Sequence, residues 1–306
     1  MAMRRLLRQL LPPALAEAYR RVRGENHALH TYLRSGRVPW SRGYADYRRQ
    51  VVLRALREAG LLECFRLGGT LPPEWGVGVD ERCVEWPWVL AHLAQGNGLL
   101  LDAGAGLNRD FLLDSDALGR YPIHMILLAP ERYCYWDRGV SYLFHDLRDL
   151  PIRDAFYDVV VCVSTLEHIG FDNVLYGKRR PSGEDLPDDF VSAVGHFRRV
   201  LKPHGVLLFT VPFGRRQLLH TQQVFDRALL SQAIEAFGPS AEVWQTFYRY
   251  GPHGWEVSVS ADCADCEYVP WIAQLPDERP AAFPVQPDNA AAARAVACVR
   301  IVKGEA

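Results

Sequence analysis

No stretch of the 306-residue chain holds about 18 consecutive apolar residues, so no transmembrane helix is expected. The opening Met1-Ala2-Met3-Arg4-Arg5-Leu6-Leu7-Arg8 has a basic flank without the continuous apolar core of a secretory signal, which argues for a cytoplasmic protein. Net charge is also missing: the formal value is -1, which gives no global drive toward nucleic acid. Lysine is scarce, with Lys178, Lys202 and Lys303 alone, and reads as a coding habit rather than a functional signal. The seven cysteines are odd in number and scattered, which excludes a simple disulfide framework and fits reduced thiols. Cys162 sits inside an apolar strand pattern and is expected in the core. Cys263-Ala264-Asp265-Cys266 is a lone pair with no second pair at zinc spacing and no neighbouring redox-type βαβ unit, so no metal is expected.

What the chain does have is one stretch around which the rest is arranged, Leu99-Leu100-Leu101-Asp102-Ala103-Gly104-Ala105-Gly106. An unbroken apolar run suits a parallel strand buried on both faces. Gly104 and Gly106 then let a ligand approach the backbone, and Asn108 is placed to cap a helix over 108–118. Strand, glycine turn and helix form the nucleotide-binding βα unit, with ligand at the strand's carboxyl end. The spacing is D-x-G-x-G rather than G-x-G-x-x-G. A carboxylate there repels a pyrophosphate but receives an ammonium group, directly or through backbone and water.

Upstream, residues 1–57 hold thirteen arginines against Glu17, Glu25 and Asp46. Met3, Leu6, Leu7, Leu10 and Leu11 form one apolar face of a helix ended by Pro12-Pro13, and a second helix runs over 14–23. This basic arm, residues 3–23, either docks on its own domain or a second subunit, or lies peripherally on an anionic membrane. A third helix is expected over 44–59, closed by Gly60. Residues 66–80 read as a loop and 86–94 as a helix, with Trp86 and Trp88 either lining a pocket or packing in the core. Residues 1–80 are thus a basic helical extension, and 81–306 are the main domain.

Further along come strands at Ile123–Leu128, Tyr142–Asp146 and Asp158–Val163, a helix at Phe190–Leu201 and a strand at Val206–Pro212. A helix at Val224–Phe237 and strands at Glu242–Tyr250 and Ala293–Val302 complete the pattern. The long connection at about 251–292, containing Pro252-His253-Gly254-Trp255, reads as a lid or substrate wall. The class is α/β: a Rossmann-like, doubly wound, mostly parallel seven-stranded sheet with an antiparallel terminal strand, plus the N-terminal helices.

The D-x-G-x-G run resembles motif I of class I S-adenosylmethionine-dependent methyltransferases of the type 11 kind. The resemblance implies S-adenosylmethionine as cofactor, bound by Asp102, Ala103, Gly104 and Gly106 near its amino-acid end. The family usually has a ribose-binding acid at the tip of the second strand; here that position is Leu127, with Glu131 the nearest carboxylate. Asp146 corresponds to the acid that accepts a hydrogen bond from the adenine amino group, and the backbone amide of Leu147 meets the ring. Ser164-Thr165-Leu166-Glu167-His168-Ile169 resembles the post-strand loop, which places Ser164 against the cofactor and His168 at the substrate edge as general base. Glu167 is expected to orient His168 or touch the cofactor; His145, His220 and His253 are alternative bases.

Asp80-Glu81-Arg82, Glu85-Trp86-Pro87-Trp88, Ser164 to Ile169 and Val211-Pro212-Phe213-Gly214 resemble methyltransferases associated with bacterial glycans. That similarity implies O-methylation of a surface-glycan sugar or its precursor at the inner membrane face. The alternatives are a small-metabolite methyltransferase and a non-catalytic cofactor-binding scaffold. A nicotinamide-dependent dehydrogenase is disfavoured by the absent third glycine and by Leu127.

Overall fold

The computed structural model describes residues 27–171, 186–270 and 285–305. The basic arm at 3–23 therefore lies outside the described residues, as does 271–284 of the long connection.

Two helices, α1 (Tyr44–Arg57) and α2 (Ala59–Leu67), precede α3 (Arg82–Leu93). The expected single helix over 44–59 is broken at Glu58, whose extended backbone (φ -94°, ψ 96°) restarts the helix one residue later. Gly60 accordingly lies inside α2 instead of closing α1. Pro87 sits within α3 and removes the N–H that would bond the carbonyl of Cys83. The indole N–H of Trp75 donates to that carbonyl instead, at 3.1 Å, so the proline leaves no orphaned acceptor.

The sheet begins with β1 (Leu100–Ala103), followed by the short helix α4 (Asp110–Leu113), β2 (Ile123–Leu127), β3 (Ser141–Phe144) and β4 (Tyr157–Val163). After α5 (Phe190–Val200) come β5 (Leu201–Pro212), the hairpin β6 (Gln217–Leu219) and β7 (Gln222–Val224), and α6 (Arg227–Phe237). The chain closes through β8 (Ser240–Gly251), β9 (Gly254–Ser258), the turn-length helix α7 (Ser260–Cys263) and β10 (Ala295–Lys303). Strand order is β3-β2-β1-β4-β5-β10-β8-β9; β1 to β5 are mutually parallel and the last three pair antiparallel. The carboxyl ends of β1 to β4 therefore share one edge, which puts Asp102 and Asp146 on the same side of the sheet.

The sheet has eight strands where seven were expected. The extra one, β9, is built from the stretch expected to form a lid. Gly254 and Trp255 pair with β8, and the Trp255 indole N–H donates to the Val79 carbonyl at 2.9 Å. Trp255 is 2% exposed, so this part of the connection is packed wall rather than a closing flap.

Both faces of the sheet are covered. One core joins Val52, Phe65, Trp75 and Val79 to Val84, Leu100, Tyr248 and Trp255, so residues 44–80 share a core with the main domain. The other packs α5 and α6 on β1, β4, β5 and β10 through Phe190, Phe197, Phe209, Phe237 and Val299. Cys162 is in this second core. Among the described residues no helix is long and apolar enough to cross a membrane.

Candidate active site

At the carboxyl end of β1 the Asp102 carboxylate faces back into its own loop. Its Oδ1 accepts from the Gly106 N–H (3.1 Å) and its Oδ2 from the Leu107 N–H (2.8 Å). The side chain is fully buried, and burial lifts its carboxyl to about 7 against the lowering effect of those two bonds. Asp102 thus shapes the glycine loop from behind; neither it nor Ala103 reaches the cavity wall. Gly104 has φ +102°, and a Cβ there would stand 2.2 Å from Thr165 Oγ1. A Cβ on Gly106 would stand 2.7 Å from Val163 Cβ. Gly104 is required by the close approach of the loop after β4, and Gly106 by that of the last residue of β4 itself.

A cavity of about 480 Å³ opens at this sheet edge. Gly104 and Gly106 form one wall, Leu127, Asp146 and Leu147 the second, and Ser164 and His168 the third. The sheet order accounts for the grouping, since β2 and β4 flank β1 and β3 lies beyond β2.

Asn108 does not cap a helix. Arg109 is the residue that precedes α4, and no side chain caps it. Instead the Asn108 amide donates to Glu131 Oε2 (2.8 Å) and the Tyr133 carbonyl (3.0 Å), and accepts from the Tyr142 hydroxyl (2.8 Å). It ties the loop after β1 to the loop after β2. Arg109 adds a second donor to Glu131 Oε2 at 3.3 Å, and Glu131 is thereby held at the cavity wall where Leu127 offers no oxygen.

Asp146 also lines the cavity, with its carboxylate clamped by Arg148: Nε to Oδ1 at 3.0 Å and Nη2 to Oδ2 at 2.7 Å. Arg148 in turn pairs with Asp189. A bidentate guanidinium fixes the carboxylate plane.

The third wall hangs from α3. Arg82 at its first turn pairs with Glu85, and Glu85 Oε1 accepts from the Ser164 hydroxyl at 2.7 Å. Trp86 follows, its indole N–H donating to the Gly106 carbonyl at 3.0 Å. One turn of helix therefore clamps the loops after β1 and β4 together. Arg82 and Trp86 line the cavity, whereas Trp88 is core, donating to Thr246 Oγ1 at 3.3 Å. Ser164 sits at φ +38°, a left-handed conformation that a serine holds here through these contacts.

His168 ends a single 3₁₀ turn, Leu166–His168, and its Nδ1 lies 2.8 Å from the Thr221 carbonyl. A carbonyl oxygen only accepts, so Nδ1 carries the proton and Nε2 keeps its lone pair. Burial pushes the imidazole down to about 4, so it is neutral across the physiological range. Glu167 is buried behind the wall and is not a wall residue itself; its Oε2 has no hydrogen-bond partner. His145 lines the cavity beside Asp146, while His220 and His253 are exposed and outside it.

Arg82 and Thr221 were not singled out from the sequence as site residues. Arg82 belongs to a segment noticed only for its resemblance, and Thr221 acts through a backbone carbonyl that no side-chain pattern reveals. Among the described residues no group of three His, Cys, Asp or Glu side chains is arranged to hold a metal ion.

Residues 124–209 match the family model of the methyltransferase domain. A malonyl-[acyl-carrier protein] O-methyltransferase of Xylella fastidiosa is 27% identical over 139 residues, 42% of this chain and 40% of that protein. The chain thus spans less than half the length of this curated relative. Among solved structures, the 1,6-didemethyltoxoflavin-N1-methyltransferase of Burkholderia thailandensis, with bound S-adenosylhomocysteine, superposes at TM-score 0.41 and 15% identity, covering 71% of this chain and 76% of that one. The YcgJ protein of Bacillus subtilis superposes at 0.42 and 12% identity, covering 72% and 99%.

Proposed function

Because residues 124–209 match the model of a methyltransferase domain, we propose that the chain is a class I S-adenosylmethionine-dependent methyltransferase that transfers a methyl group to an acceptor hydroxyl, on a sugar of a surface glycan or its precursor. One observation carries the transfer reading. The Asp102-shaped glycine loop, the clamped Asp146 and the neutral His168 meet around one cavity at the carboxyl edge of a parallel sheet.

The donor set suits the cofactor's mixed chemistry. Of the three arginines on the wall, Arg82, Arg109 and Arg148, Arg82 is assigned to an α-carboxylate, and Glu131 to ribose hydroxyls. Leu127, Leu147 and Ile169 supply apolar surface for a purine, with the Asp146 carboxylate as acceptor for its amine. When bound, S-adenosylmethionine supplies a methyl group already activated on a sulfonium. The protein has to align the acceptor at roughly 3 Å and remove its proton as the new bond forms. His168 Nε2 takes that proton, and the Thr221 carbonyl holds the required tautomer and steadies the imidazolium that results.

The acceptor reading rests on segments resembling glycan-associated methyltransferases, six residues of which, Arg82, Trp86, Ser164, Thr165, His168 and Ile169, border the cavity. A cytoplasmic location and peripheral membrane contact through residues 3–23 belong to the same proposal.

Methyl-transfer assays across nucleotide sugars, lipid-linked glycans and small metabolites test it. Transfer to a sugar hydroxyl is the expected result. Transfer confined to non-sugar acceptors would remove the glycan reading, and cofactor binding without any turnover would leave the scaffold alternative.

A further inference from the structure

Behind the wall formed by Arg82, Ser164 and His168 lies a crowded set of buried charges. Arg48 pairs with Asp80, and Arg82 pairs with Glu85. Glu81 accepts the Ala293 N–H at 3.1 Å and is 8% exposed. Glu167 completes the group at 2% exposure, between Thr165 and His168, both of which line the cavity. Four carboxyls thus share two guanidinium groups, so the cluster cannot be fully ionised without two unbalanced buried charges.

Glu167 is the member whose bonding is incomplete. Its Oε2 is buried without a partner, whereas Glu85 has both oxygens engaged. A buried carboxylate oxygen left unpaired is costly, so the neutral carboxyl is the favoured form of Glu167 while the cluster faces no further cation. The groups that face Glu167 are Glu85, Glu81 and Arg82, with Cys162 on β4 and the neutral His168 beside it. The hairpin strand β7 packed on this turn presents uncharged Gln222 and Gln223. The charges of α5 and β5 are engaged elsewhere: Arg198 with the Pro239 carbonyl, Arg199 with Asp154 and Lys202 with Asp158. Burial first, and then Glu85, hold the Glu167 carboxyl well above its ordinary range, while Arg82 acts in the opposite sense.

We propose that Glu167 is the charge-compensating group of the cavity: protonated until a cation enters, ionised while the cation is present, and protonated again once the cation has become neutral. This rests on the cavity accepting S-adenosylmethionine. The cofactor, with ammonium, sulfonium and carboxylate, has a net positive charge; its demethylated product, with no sulfonium, has none. Glu167 releases its proton to solvent as the cationic ligand arrives, breaking the carboxyl O–H and leaving a carboxylate. After transfer it recovers a proton from solvent, and the restored neutral carboxyl no longer favours the product over bulk water. Glu167 is thereby a specificity-determining residue that separates cofactor from product by charge, acting from behind the wall without abstracting the acceptor's proton.

Calorimetry on the full chain tests this directly. Each ligand is titrated between pH 6.5 and 8.5, in buffers that differ in ionisation enthalpy, so that proton release is read separately from binding heat. The expected result is release of up to about one proton with S-adenosylmethionine and distinctly less with S-adenosylhomocysteine. Affinity for the cofactor relative to the product should then rise with pH, by up to about tenfold per pH unit. Glu167→Gln should abolish the difference. Equal proton release by the two ligands of the unaltered protein overturns the proposal without any variant, as does release that persists in Glu167→Gln. Heat with neither ligand would instead overturn the cofactor reading and this inference with it.

Discussion

Two buried titratable side chains, His168 and Asp102, do opposite things with burial. His168 is pushed down to about 4 and stays neutral, so it can accept a proton at any pH above that value. The expected kcat profile is flat from about pH 6 upward and falls only as pH drops toward 4, whereas a solvent-exposed histidine would give an acid limb near 6.5. His168→Ala should lower kcat about 10²- to 10⁴-fold with little change in cofactor affinity, measured by steady-state kinetics and calorimetry side by side. Asp102 is pushed up to about 7 from an ordinary 3.8, so the native state binds its proton more tightly than the unfolded chain does. Its contribution to stability is therefore complete below about pH 4 and is lost as pH rises through about 7. Asp102→Asn should flatten that dependence. It should also cost about 1–3 kcal/mol, because an amide –NH₂ would face a backbone N–H in the glycine loop; chemical denaturation across this pH range reads both effects.

The site exists because loops from distant parts of the chain are fastened to one another. Glu131 stands at the cavity only because Asn108 and Arg109 hold it from the opposite loop, so Glu131→Gln should weaken S-adenosylhomocysteine about tenfold while leaving the fold intact. An unchanged dissociation constant would remove Glu131 from ribose recognition. The buried strands were legible because a strand covered on both faces must read as a continuous apolar run, as Leu99 to Leu101 and Val159 to Val163 do. The fastenings were not. Asn108 has the composition of a helix cap, yet its partner lies 23 residues away, and no local pattern encodes that choice. Glu85 and Ser164 are 79 residues apart and meet only because α3 lies across the tips of β1 and β4. The break at Glu58 and the packing of Trp255 under Val79 are likewise decided by tertiary contacts rather than by periodicity.

Across the described residues, α1 and α2 are part of the sheet's core rather than an appendage. Phe65 and Trp75 pack with Tyr248 and Trp255, and the Tyr44 hydroxyl accepts from the Asp80 N–H at 2.9 Å, next to the Arg48–Asp80 pair. Residues 44–80 should therefore unfold with the sheet in one calorimetric transition; a separate low-temperature transition, removable by deleting residues up to 80, would show otherwise. The doubly wound class could be read from the order of apolar runs, since parallel neighbours with crossover helices admit few topologies. The eighth strand could not, because Gly254 to Ser258 carries turn residues and only a short alternation. The central claim is that the cavity at the tips of β1 to β4 takes an adenosyl amino acid rather than a nicotinamide dinucleotide. Titration calorimetry of the full chain with S-adenosylhomocysteine and, in parallel, with NAD tests it most directly: saturable heat with the first and none with the second is expected, and saturation by NAD with no heat from S-adenosylhomocysteine would contradict it.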